Sequence, residues 1–174
     1  MTRLKLHDAD ATDALGRALA QTQPEQAVVY LQGDLGAGKS TLARAWLRAL
    51  GVTGAIRSPT YTLVEHYPLS QGLPGAKALH LDLYRIGDAG ELEFLALDDA
   101  GASLWLVEWP ERGARALPPA DLTIALAVAG EGRQAELSAG SGAGTAWLQR
   151  VSKTAACEPL LNRGDRKSSQ LTDI

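Results

Sequence analysis

The sequence has little cysteine, no long apolar run and no leader-like segment. Its 174 residues include a single cysteine, Cys157, so an internal disulfide is impossible, and one thiol is typical of the reducing cytoplasm. No apolar run approaches the length of a membrane-spanning helix. Residues 1–10 contain no apolar region of a secretory signal. We therefore expect a cytoplasmic protein with no membrane partner.

A strong charge of either sign is also lacking. The chain has 17 Lys and Arg against 20 Asp and Glu, a formal net charge of −3. Proteins that bind RNA as their main task usually carry a basic surface, so this chain is not expected to be a main RNA-binding surface. The hydrophobic content of 45% is enough for a core. We expect one domain at 1–151 and a polar, disordered tail at 152–174.

What the sequence does contain is a phosphate-binding motif at residues 33–40, Gly-Asp-Leu-Gly-Ala-Gly-Lys-Ser. It matches the pattern G-x-x-x-x-G-K-[ST] at every required position. An apolar run at 27–31 predicts a strand before it, and helical spacing at 42–50 predicts a helix after it. Phosphates bind at such helix N-termini. The motif predicts that Lys39 reaches the β- and γ-phosphates and is exposed until they bind, and that the Ser40 hydroxyl ligates Mg²⁺.

Alternating and helical patterns predict the other elements. Residues 3–7 are typical of an edge strand, and Asp8 or Asp10 can cap the helix that follows. Further strands are expected at 61–67, 78–84 and 103–107, a hairpin at 122–138, and helical segments at 11–19, 89–94 and 145–151.

Two carboxylates are candidates for the chemistry that a phosphate loop alone cannot perform. Glu108 follows four apolar residues at the end of a predicted strand, a typical position for an acid that meets Mg²⁺. Asp82 lies within His80-x-Asp82-x-Tyr84-Arg85. We assign Ser40 and Glu108 to the metal, and Asp82 to positioning or deprotonating the nucleophile. Two alternatives stay open: Asp82 as a helix cap or partner of Arg85, and Glu108 as a solvated strand end.

Other polar and aromatic residues have two interpretations each. Thr60 is either a sensor of the γ-phosphate or part of a turn. Trp109 stacks on a base or partner, or belongs to the core. Arg133 meets phosphate or ribose, or lies on the surface. A structural role is favoured for His80, because no second His or Cys lies at metal-ligand spacing. No Asn-Lys-x-Asp motif follows a predicted strand, which favours ATP over GTP.

Four blocks occur together in this order: 33–41 (GDLGAGKST), 58–65 (SPTYTLVE), the His80 to Arg85 block and 107–110 (VEWP). Over about residues 3–151 the chain resembles the bacterial TsaE family (formerly YjeE), the ATPase of tRNA threonylcarbamoyladenosine (t6A) biosynthesis. The resemblance implies a single α/β domain of the P-loop NTPase-like three-layer type, with a central parallel sheet flanked by antiparallel strands.

The resemblance also implies a function. The protein would hydrolyse ATP slowly alone and would act with TsaB and TsaD, resetting that complex between turnovers at adenosine 37 of tRNA. Asp82 and Lys39 would be catalytic, and Ser40 and Glu108 would hold Mg²⁺. The implied nucleotide-binding residues are Ala9, Leu35, Gly36, Ala37, Gly38, Lys39, Ser40, Thr41 and Arg133.

Two other functions fit the same loop. A small-molecule kinase would need an arginine-bearing lid, for which Arg112 and Arg115 are the only close pair on a suitable loop. A non-catalytic, nucleotide-gated adaptor would bind ATP without depending on Asp82 for turnover.

Overall fold

The computed structural model describes residues 1–95, 97 and 101–162. Within these residues, seven strands and three α-helices build the fold. The strands are β1 (Thr2–Leu6), β2 (Ala27–Gln32), β3 (Val64–Pro68), β4 (Lys77–Asp82), β5 (Leu104–Glu108), β6 (Leu122–Ala129) and β7 (Gly132–Ala139). The helices are α1 (Ala9–Thr22), α2 (Lys39–Ala49) and α3 (Gly142–Ser152).

The strands form one sheet in the order β1-β7-β6-β2-β5-β4-β3. The four central strands, β6, β2, β5 and β4, are parallel to one another. The outer strands β7, β1 and β3 pair antiparallel with their neighbours. The predicted α/β class, with a parallel centre flanked by antiparallel strands, is confirmed. Because the parallel strands all end at the same edge of the sheet, side chains that follow them meet there.

Alternation along each strand sends apolar side chains to both faces of the sheet. On one face, Val29, Leu106 and Ile124 pack in a core shared with the three helices. On the other face, Leu79, Leu81 and Val107 form a second core. The segments that follow β4 and β5 form short 3₁₀ turns at Ala89–Leu95, Pro110–Arg112 and Ala114–Ala116, and Leu92 of the first turn belongs to this second core. The sheet is therefore the middle of three layers, and the second outer layer is built from turns.

The strand predicted at 61–67 begins three residues later, at Val64. Leu63 has a φ of 66°, which an extended strand does not allow. Its N–H donates to the carbonyl of Pro59, 2.9 Å away, and so closes a turn. This turn keeps Thr60 out of the sheet and directs it toward the neighbouring strand ends.

The packed chain continues beyond the boundary expected at residue 151. Cys157, Leu160 and Leu161 are buried in the helix-side core. Leu161 forms an isolated bridge with Leu4 of β1, so this segment covers an edge strand. The structure differs from the expectation of disorder at residues 152–162. The segment is ordered because burial of these apolar side chains in the core stabilises it. The rest of the predicted tail, 163–174, lies outside the described residues.

Among the described residues, no helix combines the length and the apolar character needed to cross a membrane.

Candidate functional site

The phosphate loop connects β2 to α2 and is shaped by its glycines. Gly33 has a φ of 140° and Gly38 a φ of 105°. Gly38 is the N-cap of α2, so the helix begins at Lys39. The first N–H groups of a helix have no acceptor within it, and they carry the positive end of the helix dipole. The loop therefore presents backbone donors to an anion at the edge where the parallel strands end.

Gly33→Ala is expected to destabilise the protein by at least about 3 kcal/mol. An alanine Cβ at this position would collide with the carbonyl oxygen of Leu126 in β6, in addition to the cost of a positive φ. Gly36→Ala is the matched control, because Gly36 has a φ of 79° but no neighbouring atom within 4 Å of the position that a Cβ would occupy. It should cost only about 1 kcal/mol. Urea unfolding measures both, and equal losses would contradict the packing of this loop against β6.

Lys39 differs from expectation, because it is only 5% exposed. Its Nζ donates to the carbonyl oxygens of Gly33, at 2.5 Å, and Asp34, at 2.9 Å. It also lies 4.6 Å from the centre of the Trp109 ring. A buried ammonium needs such partners, and two carbonyls and an aromatic face supply them. The lysine is therefore buried within the phosphate loop, whereas the motif predicted an exposed charge.

The Ser40 hydroxyl donates to the Glu108 carboxylate, at 2.9 Å from Oε1 and 3.2 Å from Oε2. Glu108 is 2% exposed, which excludes the interpretation as a solvated strand end. Hydroxyl and carboxylate oxygens suit Mg²⁺. Nowhere in 1–95, 97 and 101–162 do three or more His, Cys, Asp or Glu gather into a metal cage. The donor set therefore fits an ion that takes its other ligands from phosphate and water.

Asp82 lies directly opposite Glu108 in the parallel pair of β4 and β5. Directly opposite residues share a face of the sheet, so the two carboxylates are neighbours. The Asp82 Oδ1 accepts the N–H of Tyr84 at 3.0 Å. Burial raises the pKa of Asp82, the Tyr84 N–H opposes that shift, and the charge of Glu108 adds to it. A carboxyl with a raised pKa is suited to accepting a proton.

Asp82 does not pair with Arg85 in the described part of the chain, contrary to the alternative left open by the sequence. The Arg85 guanidinium instead lies over the ring of Tyr61, 4.5 Å from its centre. Thr60 approaches the other carboxylate oxygen of Asp82, with its Oγ1 3.5 Å from Oδ2. Thr60 also contacts the Ser58 hydroxyl at 2.8 Å. Thr60 therefore belongs to a turn, and that turn faces the strand-end acids.

Trp109 is not a fully buried core residue. It has a φ of 55° and is the N-cap of the turn Pro110–Arg112. Its ring packs on Tyr84, with centroids 4.9 Å apart, and covers Lys39. The aromatic pair therefore forms a wall of the loop. Tyr84 was not among the predicted site residues. Its position two residues after Asp82 could have indicated that it lies at the site.

A cleft of about 260 Å³ lies where the starts of α1, α2 and β7 meet. It brings together Ala9, Gly38, Thr41 and Arg133, which the sequence had named separately. The Arg133 Nη2 donates to the carbonyl of Gly36 at 3.2 Å and so ties β7 to the loop. Asp8 and Thr12 also line the cleft but were not predicted as site residues. Leu35 is 66% exposed at the loop tip, whereas Ala37 is buried.

Fold and site together define the class. A strand, glycine loop and helix, with carboxylates at the ends of two neighbouring parallel strands, make this an α/β protein of the P-loop NTPase-like class. The sequence model of the family described as "Threonylcarbamoyl adenosine biosynthesis protein TsaE" matches residues 6–135. The chain belongs to the TsaE family.

Individual relatives agree with this assignment. The tRNA threonylcarbamoyladenosine biosynthesis protein TsaE of Haemophilus influenzae is 44% identical over 124 residues, covering 70% of this chain and 76% of that protein. The protein of the same name from Aquifex aeolicus is 35% identical, covering 74% and 89%. Among solved structures, Bacillus subtilis YdiB superimposes with a TM-score of 0.71 at 25% identity, covering 87% of this chain and 93% of that one.

Proposed function

We propose that this protein is a Mg²⁺-dependent ATPase that acts in t6A modification of tRNA. The observation that carries the proposal is the contact between the Ser40 hydroxyl and the Glu108 carboxylate beside Asp82. It combines the hydroxyl of a phosphate loop with an acid from a neighbouring strand, the arrangement that holds a nucleotide-bound magnesium in this class. One domain, extending through residue 162, carries the whole site.

In this proposal the backbone of residues 35–40 binds the phosphates, with Thr41 next in the first turn of α2. Lys39 leaves the carbonyls of Gly33 and Asp34 and pairs with the β- and γ-phosphates. The cleft beside Ala9 and Arg133 takes the nucleoside, since it adjoins the start of α2. Arg133 is well placed to contact a phosphate or ribose because its guanidinium already touches the loop backbone.

Ser40 and Glu108 would hold Mg²⁺, which when bound neutralises charge on the phosphate oxygens. Asp82 orients the attacking water and accepts its proton. Its raised pKa and its hydrogen-bonding neighbours Thr60 and Tyr84 support this role. Trp109 and Tyr84 close one side of the site and limit the access of other water.

We propose that the partners are TsaB and TsaD in the cytoplasm, and that ATP binding and hydrolysis reset their complex between turnovers. The support is the family and the names of the relatives, which are t6A biosynthesis proteins. The net charge of −3 supports contact with tRNA only through these partners. Because the site would need these partners for full activity, we expect the isolated chain to hydrolyse ATP only slowly.

Phosphate release tests the reaction. With ATP, Mg²⁺, TsaB and TsaD, we expect one phosphate per ADP and no phosphorylated acceptor, at a higher rate than that of the protein alone. Omitting Mg²⁺ should abolish the release. Transfer of the γ-phosphate label to a metabolite would contradict the proposal and favour the small-molecule kinase. ATP-dependent assembly without turnover would favour the non-catalytic adaptor.

A further inference from the structure

We infer that His80 is a positioning residue for the magnesium site, which holds the Glu108 carboxylate toward Ser40. This inference rests on the proposed function, because it concerns the ion that would accompany ATP. The sequence alone favoured a purely structural histidine. The structure instead gives this side chain a specific contact with one of the two oxygen ligands.

The contact follows from the pairing of two strands. His80 lies opposite Leu106 in β5, so Glu108 is its diagonal neighbour on the same face of the sheet. The His80 Nε2 is 2.9 Å from Glu108 Oε1. The same oxygen accepts the Ser40 hydroxyl at 2.9 Å. One oxygen of the carboxylate is thus held from two sides, which fixes the direction in which the other oxygen points.

The chemistry of the pair identifies the proton on the ring. A carboxylate accepts hydrogen bonds, so the Nε2 of His80 is the donor in this contact. His80 Nδ1 is buried and has no hydrogen-bond partner among the described residues. His80 is 1% exposed. A buried ring atom without a partner is costly, and such a cost is expected where a side chain serves a function.

A packing role does not account for this arrangement. The neighbouring position on the same face of β4, Ala78, belongs to the apolar helix-side core. An apolar side chain at position 80 would extend that core and leave no unpaired nitrogen. Only a hydrogen-bond donor at position 80 can hold the Glu108 carboxylate in a fixed orientation. Hydrogen bonds of this kind to the ligands of a metal commonly change its affinity about 10- to 100-fold.

Three substitutions separate positioning from packing. His80→Gln places an amide N–H near the position of Nε2, His80→Asn carries the same group on a shorter stem, and His80→Leu removes it. The readout is the affinity for a fluorescent, non-hydrolysable ATP analogue in EDTA and across a Mg²⁺ titration. We expect all variants to bind alike in EDTA. We expect the half-saturating Mg²⁺ concentration to rise about 10- to 100-fold in His80→Asn and His80→Leu, and about threefold or less in His80→Gln.

The outcomes distinguish the two proposals. If Mg²⁺ does not strengthen analogue binding by the wild-type protein, the proposed function and this inference both fail. If Mg²⁺ strengthens wild-type binding and His80→Asn responds equally, only the positioning role of His80 fails. If all three variants lose equal affinity for the analogue in EDTA and in Mg²⁺, and their melting temperatures fall equally, His80 has a structural role and the inference is overturned.

A spectroscopic measurement needs no variant and so decides the matter even if a substitution prevents folding. The chain has three histidines, and His7 and His66 are exposed. In ¹⁵N-histidine-labelled protein, long-range proton–nitrogen spectra should show the buried histidine, His80, locked in the Nε2–H form, with a signal that shifts when the ATP analogue and Mg²⁺ are added together. An Nδ1–H form at His80, or a signal that ignores Mg²⁺, would overturn the inference.

Discussion

Lys39→Ala should weaken ATP binding about 100-fold, which corresponds to about 3 kcal/mol for a charge-assisted contact with phosphate. The ammonium is already at the loop, held by the carbonyls of Gly33 and Asp34 under the ring of Trp109. It can exchange these neutral partners for phosphate oxygens with a small displacement. Isothermal titration of ATP in the presence of Mg²⁺ measures the loss.

The control for this substitution must account for the burial of Lys39. Removing the ammonium leaves two carbonyls without their partner, so a loss of about 1–3 kcal/mol in unfolding free energy is expected, and the domain remains folded. Lys5→Ala, in the exposed position of β1, should change neither ATP affinity nor stability. ATP affinity in Lys39→Ala equal to that of Lys5→Ala would contradict the assignment of the phosphate loop.

Asp82→Asn should lower kcat for ATP hydrolysis by about 10²- to 10⁴-fold, the usual effect of losing a general base. ATP affinity should change little, because Asp82 lies at the end of β4 and does not belong to the phosphate loop. The amide can still accept the N–H of Tyr84 and donate to the hydroxyl of Thr60. Single-turnover phosphate release with TsaB and TsaD measures the effect. Unchanged turnover would remove Asp82 from the chemistry and favour a nucleotide-gated adaptor.

The same substitution should stabilise the protein at neutral pH. Burial raises the pKa of Asp82 in the folded state. The stability linked to its protonated form is complete below the ordinary aspartate pKa of about 3.9 and is lost as pH rises through the raised pKa. Asparagine does not titrate, so the melting temperature of Asp82→Asn should rise relative to that of the wild type as the pH increases from about 4 to about 7. Asp13→Asn, on the exposed side of α1, should show no such gain.

Local patterns were sufficient for much of this architecture. The strand, glycine loop and helix around residues 27–50 follow from short-range periodicity and one motif. Strict alternation in β4 predicts that His80 and Asp82 share one face. Alternation within one strand cannot predict that Asp82 lies opposite Glu108, because this pairing depends on the register between two separate strands.

The features that the sequence did not reveal depend on contacts between distant segments. The positive φ of Leu63, whose carbonyl accepts the N–H of Asp82 in β4 at 3.0 Å, moves Thr60 to the strand ends, and no local preference indicates it. Burial of Leu160 and Leu161 requires the edge strand β1, which lies at the opposite end of the chain. The enclosure of Lys39 requires Trp109, which the chain brings from the end of β5. In each case the deciding contact partner is unknown until the fold is complete.

The central claim is that the loop at residues 33–40 binds a triphosphate whose magnesium is shared with Glu108. A crystal structure with a non-hydrolysable ATP analogue and Mg²⁺ tests it most directly. The predicted result is an ion bound by the Ser40 hydroxyl and near Glu108, with Lys39 Nζ moved from the carbonyls of Gly33 and Asp34 to the phosphates. An analogue bound elsewhere, with the Ser40–Glu108 and Lys39–Gly33 hydrogen bonds intact, would contradict the account.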